Sequence, residues 1–169
     1  MPMSEYMSQV RRKVGRQLLE VPSVSIVARN RHGHVLLVRH SEIGSWMTPG
    51  GAIEPVETPA DAAVREMWEE TGLDVRLTRL AGVYGGPEFV VRYQNGDETS
   101  YAMIVFEAEI LAGEAQPDEE EILEVRFFPP SELEGLEMPA WMPEVLQDVL
   151  EGAERAGFRL PTWRPPVAV

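Results

Sequence analysis

The sequence predicts an α/β protein in which a mixed sheet lies between helical layers. Two observations predict this class. β-branched and aliphatic runs occur on both sides of one central helix, and further helical segments lie near each end of the chain. The 169 residues, of which 44% are apolar and 25% charged, also have the size of one domain with a sizeable core. Parallel strands in such a sheet would require crossover connections.

The chain is expected to begin with an amphipathic helix over Ser4 to Glu20, which packs on the domain as part of residues 1–20. Two β-branched and aliphatic runs follow, Ser23 to Arg29 and His34 to Arg39, with NRHG between them. A glycine-containing link of this length predicts a β-hairpin. WMTPGG then interrupts regular structure.

The central helix has clear signals at both ends. Thr58 is a suitable N-cap, Pro59 occupies the first helical position, and Asp61 completes a capping box. Gly72 suits the residue that ends a helix, so we expect the helix to span Pro59 to Thr71. Its packing stripe is expected to consist of Ala60, Ala63, Val64 and Met67.

Four further strands are predicted after this helix: Val75 to Tyr84, Phe89 to Tyr93, Ser100 to Glu109, and Ile122 to Phe128. The segment QNGDET separates the second from the third, and its Asn-Gly pair favours a tight reverse turn. The polar and acidic segment Ala112 to Glu120 is expected to form a loop.

A helix and an irregular tail are expected at the end of the chain. Trp141 to Ala156 has helical periodicity. Residues 21–158 would then form the main domain, and residues 159–169 a proline-rich tail. The buried side of the helix is expected to consist of Val145, Val149, Leu150 and Ala153.

The composition excludes several classes of protein. Without cysteine, the chain forms no disulfide framework, thiolate metal site or catalytic thiol. The apolar runs are too short for a membrane span and the N-terminus lacks the apolar core of a signal peptide, so we expect a cytoplasmic protein that binds no membrane. The net charge of −13 argues against nucleic acid as a partner. An anionic small molecule would need cations or a local basic pocket to offset this charge.

Three glutamates of the central helix share one face. At about 100° per residue, Glu66, Glu69 and Glu70 fall within roughly 100° of arc, and Arg65 can pair with Glu69 or reach back to Glu57. Like charges at this spacing cost roughly a few tenths of a kcal/mol when solvated. Partial burial would raise the repulsion to roughly several kcal/mol. The face is therefore either solvated or a site for hard divalent cations, which prefer oxygen ligands.

The spacing of these residues resembles a known signature. Gly51, five residues, Glu57, seven residues and then REMWEETGL at residues 65–73 match G-x5-E-x7-R-E-U-x-E-E-x-G-U at nine specified positions across 23 residues, where U is a bulky aliphatic residue. This is the signature of the Nudix hydrolases, and it is far more specific than a lone glycine motif. The chain is similar to this family in general layout from Ser23 to Leu150.

The resemblance implies a Nudix-type α/β/α sandwich that hydrolyses a nucleoside diphosphate linked to another group. Glu57 and Arg65 match a pair that braces the loop against the helix, which fixes the geometry of the ligands. The implied metal is Mg²⁺, with Mn²⁺ as an alternative. The implied metal ligands are the Gly51 carbonyl and the side chains of Glu66, Glu69 and Glu70.

A general base is also needed, and two sources are open. Glu69 or Glu70 of the signature could orient or deprotonate the attacking water. The other source is the acidic loop PDEEEILEV, because in many relatives a glutamate just before the last strand enters the site. Glu121 best matches that place, with Glu120 and Glu124 behind it. A solvated run of charges is the alternative interpretation of this loop.

Three residues outside the signature are candidates for substrate binding. Arg39, at a strand end, is a candidate phosphate contact or an exposed charge. Trp46 and Tyr84 are candidates for stacking on a base or members of the core. The histidines show no spacing typical of a metal site, and we expect His32, His34 and His40 at the surface.

The leading function is Mg²⁺-dependent hydrolysis of a pyrophosphate linkage by metal-activated water. The substrate is left open between a nucleotide sugar such as ADP-ribose, a nucleoside triphosphate and a dinucleoside polyphosphate, with a slight preference for ADP-ribose from Pro87. The alternative is a catalytically silent module that senses a nucleotide. The oligomeric state is also open: relatives often form dimers, and the N-terminal helix is a candidate contact in a homodimer.

Overall fold

A computed structural model describes the chain at residues 4–93, 95–118, 120–152 and 154–162. Within these ranges, no helix is both long and apolar enough to cross a bilayer.

The described part of the chain contains three α-helices and seven strands. The helices are α1 (Glu5–Val14), α2 (Pro59–Thr71) and α3 (Met142–Leu150). The strands are β1 (Leu19–Arg29), β2 (Val35–His40), β3 (Trp46–Met47), β4 (Leu73–Tyr84), β5 (Val90–Arg92), β6 (Glu98–Gly113) and β7 (Ile122–Phe128). Short 3₁₀ turns lie at Pro87–Phe89 and Pro130–Gly135.

The strands form one mixed sheet, as predicted. The central order is β3-β2-β1-β6-β4, with β5 paired to β6 and β7 paired to β2. β1 runs parallel to β6 along its whole length, whereas the other strand pairs are antiparallel. The expected hairpin between β1 and β2 also forms, with Arg29 opposite Val35.

Each face of the sheet has its own apolar core, because alternate residues of a strand point to opposite faces. Val27 of β1 belongs to a core that also contains Val145 of α3. Its neighbour Ile26 belongs to a second core, which contains Met67 of α2. The sheet therefore lies between helical layers, and the predicted α/β/α sandwich is confirmed.

The predicted bounds of α2 agree with the structure at both ends. The Thr58 hydroxyl accepts a hydrogen bond from the Asp61 N–H at 3.2 Å, and Pro59 is the first helical residue. Gly72 has a left-handed φ of +68° and donates its N–H to the Trp68 carbonyl. Local capping therefore sets this helix, independently of its packing.

The packing stripe of α2 differs from the prediction. Ala60 is exposed and Val64 is 37% exposed, so their assignment to the buried side was wrong. The buried residues of α2 are Ala62, Ala63, Met67, Glu70 and Thr71. The helix is rotated about its axis from the expected orientation because Glu70 turns inward, toward the backbone N–H of Gly50.

The helix α1 is shorter than predicted. It ends at Val14, and Gly15 follows with a φ of +63° and donates its N–H to the Arg11 carbonyl. Leu19 and Glu20 already belong to β1. The predicted helix was too long because its apolar spacing continues past the glycine that ends it.

The segment after α2 and the end of the chain also differ from the predicted bounds. β4 begins at Leu73, and β6 extends to Gly113, so the start of the predicted acidic loop is strand. α3 ends at Leu150, short of Ala156. Ala153 and residues 163–169 of the predicted tail lie outside the described residues.

The link between β3 and α2 packs directly on β1. The N–H groups of Val24 and Ile26 donate to the carbonyls of Gly51 and Pro49, each at 2.9 Å. Gly50 has a φ of +152°, and a side chain there would collide with the Val24 carbonyl oxygen. This contact holds the backbone of the loop beside β1 and within reach of α2.

We expect Met67→Ala to lower the free energy of unfolding by about 2–5 kcal/mol, because truncation of this fully buried side chain leaves a cavity between α2 and the sheet. Urea denaturation followed by circular dichroism measures the change. The control is Val64→Ala on the exposed side of the same helix, which should cost less than about 0.5 kcal/mol. Equal losses in the two variants would contradict this orientation of α2.

Candidate active site

A cleft of about 780 Å³ brings together residues from both sides of the signature. Gly51, Glu66 and Glu70 line it, and so does Glu121 from the loop before β7. The volume is within the usual range for sites that bind small molecules, about 300–1,000 Å³. Glu69 has its carboxylate turned to Arg65 and is absent from the lining.

Arg65 joins the loop to the helix. Its Nε and Nη2 donate to the two carboxylate oxygens of Glu57 at 2.8 and 2.9 Å, and Nη2 also donates to the Ala52 carbonyl at 3.2 Å. Its Nη1 donates to Glu66 at 2.8 Å and to Glu69 at 2.9 Å. The hydrogen bonds from Arg65 hold the pKa of Glu57 below its ordinary value. The single guanidinium of Arg65 therefore pairs with three carboxylates.

Glu70 is the most deeply buried carboxylate of this face. It is 5% exposed, and its Oε2 accepts a hydrogen bond from the Gly50 N–H at 2.9 Å. Burial raises the pKa of Glu70 well above its ordinary value and the charge of Glu66 adds to this, whereas the Gly50 N–H lowers it. Burial also raises the pKa of Glu66. A bound divalent cation would reverse both shifts, because it favours the charged carboxylates.

Gly51 leaves room for the carboxylate of Glu66. A Cβ on Gly51 would lie 2.6 Å from Glu66 Oε1, closer than real contacts allow. The Gly51 carbonyl accepts the Val24 N–H, and a carbonyl oxygen has a second lone pair for another partner. The missing side chain of Gly51 therefore lies toward Glu66, and its carbonyl oxygen keeps one lone pair for a further partner.

The donor set fits a hard divalent cation. The buried carboxylate of Glu70, the partly buried one of Glu66 and a backbone carbonyl provide the oxygen ligands that Mg²⁺ and Mn²⁺ prefer. As the side chains stand, no three acidic or imidazole groups among the described residues converge closely enough to hold a metal ion. The Nη1 of Arg65 binds the carboxylates of Glu66 and Glu69. Glu69 would have to turn from Arg65 to join the other ligands.

The loop before β7 is built to direct Glu121 into the cleft. The Asp118 carboxylate accepts the N–H groups of Glu120, Glu121 and Ile122 at 3.0, 3.0 and 2.8 Å, which fixes the turn. The charge of Glu121 acts on Glu70, where it contributes to the raised pKa. The loop is therefore more than a solvated run of charges.

His40 was expected at the surface, and that prediction was wrong. The residue is 9% exposed, and its Nε2 lies 3.0 Å from Glu121 Oε1. Because Nδ1 accepts the Glu42 N–H at 3.2 Å, the proton of the neutral ring is on Nε2, which donates to Glu121. Strand β2 continues to residue 40, so strand alternation turns Arg39 outward and His40 inward.

The structure does not place the three predicted substrate-binding residues in the cleft. Arg39 is exposed and pairs with Glu124 at 2.8 Å. Trp46 packs edge-on against the phenylalanine that ends β7, with ring centroids 4.8 Å apart. Tyr84 is buried in the core beneath α3 and donates its hydroxyl to Asp148 at 2.7 Å. Their surroundings match the alternative interpretations: Arg39 is an exposed charge, and Trp46 and Tyr84 pack against the core.

We expect Gly51→Ala to weaken the binding of Mg²⁺ by about 10- to 100-fold, because the new methyl group displaces the Glu66 carboxylate. Isothermal titration with Mg²⁺ measures the affinity, and circular dichroism checks that the fold is intact. The matched control is Gly135→Ala, a site with no other atom within 4 Å of the added Cβ. Equal affinities for all three proteins would contradict the role of Gly51 at the metal site.

Comparisons with known proteins agree with this geometry. The sequence model of the NUDIX domain matches residues 19–149. The chain is 40% identical over 79 residues to a MutT-like protein of Streptomyces ambofaciens, a match that covers 47% of this chain and 51% of that protein. It is 49% identical over 55 residues to human diphosphoinositol polyphosphate phosphohydrolase 3-alpha, which covers 32% of this chain and 34% of that protein. The chain thus spans about half of the first relative and about a third of the second.

Solved structures show the same fold over most of the chain. The crystal structure of a MutT protein from Methanosarcina mazei Go1 matches with a TM-score of 0.64 and 25% identity, covering 82% of this chain and 99% of that one. The family match includes the whole signature and all seven strands. The chain therefore belongs to the Nudix hydrolase family.

Proposed function

We propose that the protein hydrolyses the pyrophosphate linkage of a nucleoside diphosphate derivative with the help of Mg²⁺, for which Mn²⁺ is an alternative. The observation that carries this proposal is the cleft in which Glu66, Glu70 and the Gly51 backbone share one space with Glu121. Membership of the Nudix hydrolase family supports it.

The acidic side of the cleft would hold the metal. Bound Mg²⁺ would supply a Lewis acid that offsets the charge of the diphosphate and acidifies water. Glu66, Glu70 and the Gly51 carbonyl are the ligands that the chain offers there, and Glu69 joins them once it turns from Arg65. The Gly50 N–H holds Glu70 in place.

Glu121 is the proposed general base. A water attacks one phosphorus of the bridge, Glu121 accepts its proton, and the bond from that phosphorus to the bridging oxygen breaks. Two observations favour Glu121 over the glutamates of the signature. Its carboxylate is oriented by His40, whereas Glu70 is held by Gly50 and Glu69 by Arg65. The products are a nucleoside monophosphate and a second phosphorylated fragment, or pyrophosphate when the substrate is a triphosphate.

The signature does not select the group beyond the diphosphate. A nucleotide sugar such as ADP-ribose, a nucleoside triphosphate and a dinucleoside polyphosphate all contain the required linkage. A silent nucleotide sensor is the alternative function, and a degenerate signature would favour it, whereas every acidic position is present here. A cytoplasmic location and a homodimer stay predictions from the sequence.

We expect Glu70→Gln to abolish nearly all turnover and to leave the fold intact, because glutamine still accepts the Gly50 N–H but does not provide the charge that the metal requires. Phosphate release over a panel of nucleotide sugars, nucleoside triphosphates and dinucleoside polyphosphates, with and without Mg²⁺, measures activity. Wild-type rates in the variant would disprove the assignment of the metal site. Tight nucleotide binding by the wild type, with no turnover of any panel member, would favour the sensor.

We expect Glu121→Gln to lower kcat by about 10²-fold or more, because the amide does not accept the proton of the attacking water. The matched control is Glu124→Gln, in the same acidic segment, where the side chain is exposed and pairs with Arg39. Steady-state kinetics on the best panel substrate compares the two. An unchanged kcat in the Glu121 variant would return the role of base to Glu69 or Glu70.

A further inference from the structure

Helix α1 contributes to the cleft although it precedes the part of the chain that matches the family. The match begins at residue 19, whereas α1 ends at Val14. Its side chains Ser4, Met7 and Arg11 line the same cleft as the glutamates of α2. A wall of the candidate active site is therefore formed by a segment outside the family domain.

The buried guanidinium of Arg11 connects α1 to the sheet by hydrogen bonds. Its Nη1 donates to the Gln17 carbonyl at 2.8 Å, and its Nη2 donates to the Glu98 carbonyl at 2.7 Å and to the Thr99 hydroxyl at 2.8 Å. The residue is 9% exposed. Charge-assisted hydrogen bonds of this kind hold α1 against the start of β6.

The basic side chains that line the described part of the cleft already have partners. They are Arg11, Arg65 and His40, and their donors go to the carbonyls near β6, to the glutamates of the signature, and to Glu121. The same lining contains many carboxylates, which repel anions where no metal lies between. Among the described residues, the lining thus favours an uncharged group for the part of the substrate that extends past the metal site.

The part of β1 that lines the cleft combines a hydroxyl group available for a hydrogen bond with apolar neighbours. Ser23 lines the cleft and is 2% exposed, and its hydroxyl has no hydrogen-bond partner among the described residues. Ser25, two residues along the same face of β1, has its hydroxyl paired with Thr48. Val21 and Met103 beside Ser23 are apolar. A rotation about χ1 of Ser23 would be needed to turn this buried hydroxyl toward a ligand in the cleft.

We propose that α1 and Ser23 bind the uncharged nucleoside of the substrate, and that this wall rather than the Nudix signature selects it. The inference rests on the proposed function and adds to it the residues that choose the substrate. An apolar surface with a few polar groups suits a planar base with hydrogen-bonding edges. Met7 supplies an adaptable apolar contact, and Ser23 a hydrogen bond for which the described residues offer no partner.

The test compares Ser23→Ala and Met7→Ala with the wild type. One measurement is KM for the panel nucleotide that is hydrolysed fastest, and the other is Ki for inorganic tripolyphosphate, which has the phosphates but no nucleoside. Each variant should raise KM by about 3- to 10-fold, the equivalent of one lost contact, with kcat and the tripolyphosphate Ki unchanged. Ser23→Ala should not lower Tm, because the hydroxyl removed has no hydrogen-bond partner in the described part of the chain.

Two matched controls separate binding from general damage. Gln9→Ala changes the exposed side of α1, and Ser100→Ala removes a buried hydroxyl of β6 that does not line the cleft. Both should keep the wild-type KM. An unchanged KM in the Ser23 and Met7 variants, or an equal rise in KM and Ki, would overturn the inference and leave the proposed function standing. Failure of the wild type to hydrolyse any panel nucleotide would overturn both.

Discussion

The candidate active site depends on the burial of like charges. Glu66 and Glu70 project from one side of α2 into a cleft, where burial and the like charges of neighbouring glutamates raise the pKa of both. Arg65 reaches Glu66 but is shared with Glu57 and Glu69, so it compensates the cluster only in part. Such an arrangement is unfavourable unless a further cation joins it. The surrounding backbone supports the carboxylates: the Gly50 N–H binds Glu70, and the missing side chain of Gly51 makes room for Glu66.

Local signals made much of the fold predictable. Thr58 and Gly72 set the ends of α2 because capping depends on neighbours in the chain, and strand alternation identified most of the sheet. Tertiary contacts decided what local signals missed. His40 is buried because the loop that contains Glu121 packs over it, and Tyr84 belongs to the core because α3 covers the end of β4. Neither contact leaves a periodic trace in the sequence.

One part of the candidate site was predictable from the sequence, and another part was not. The spacing from Gly51 to Leu73 was sufficient to identify the acidic cluster, because its chemistry requires those residues at those positions. The opposite wall comes from α1, whose contribution depends on one buried arginine and on the fold of β6. The matches cover 51% of the Streptomyces relative and 34% of the human one, so similarity alone leaves the substrate open. Selection of the substrate therefore has to be sought in residues outside the signature.

The most direct measurement is anomalous diffraction from crystals soaked in Mn²⁺, which replaces Mg²⁺ at oxygen sites. We expect a strong peak about 2.0–2.3 Å from carboxylate oxygens of Glu66 and Glu70 and from the Gly51 carbonyl oxygen, with Glu69 turned away from Arg65. The absence of a peak there, with Arg65 still holding both Glu66 and Glu69, would contradict the assignment of this cleft as a metal-dependent active site.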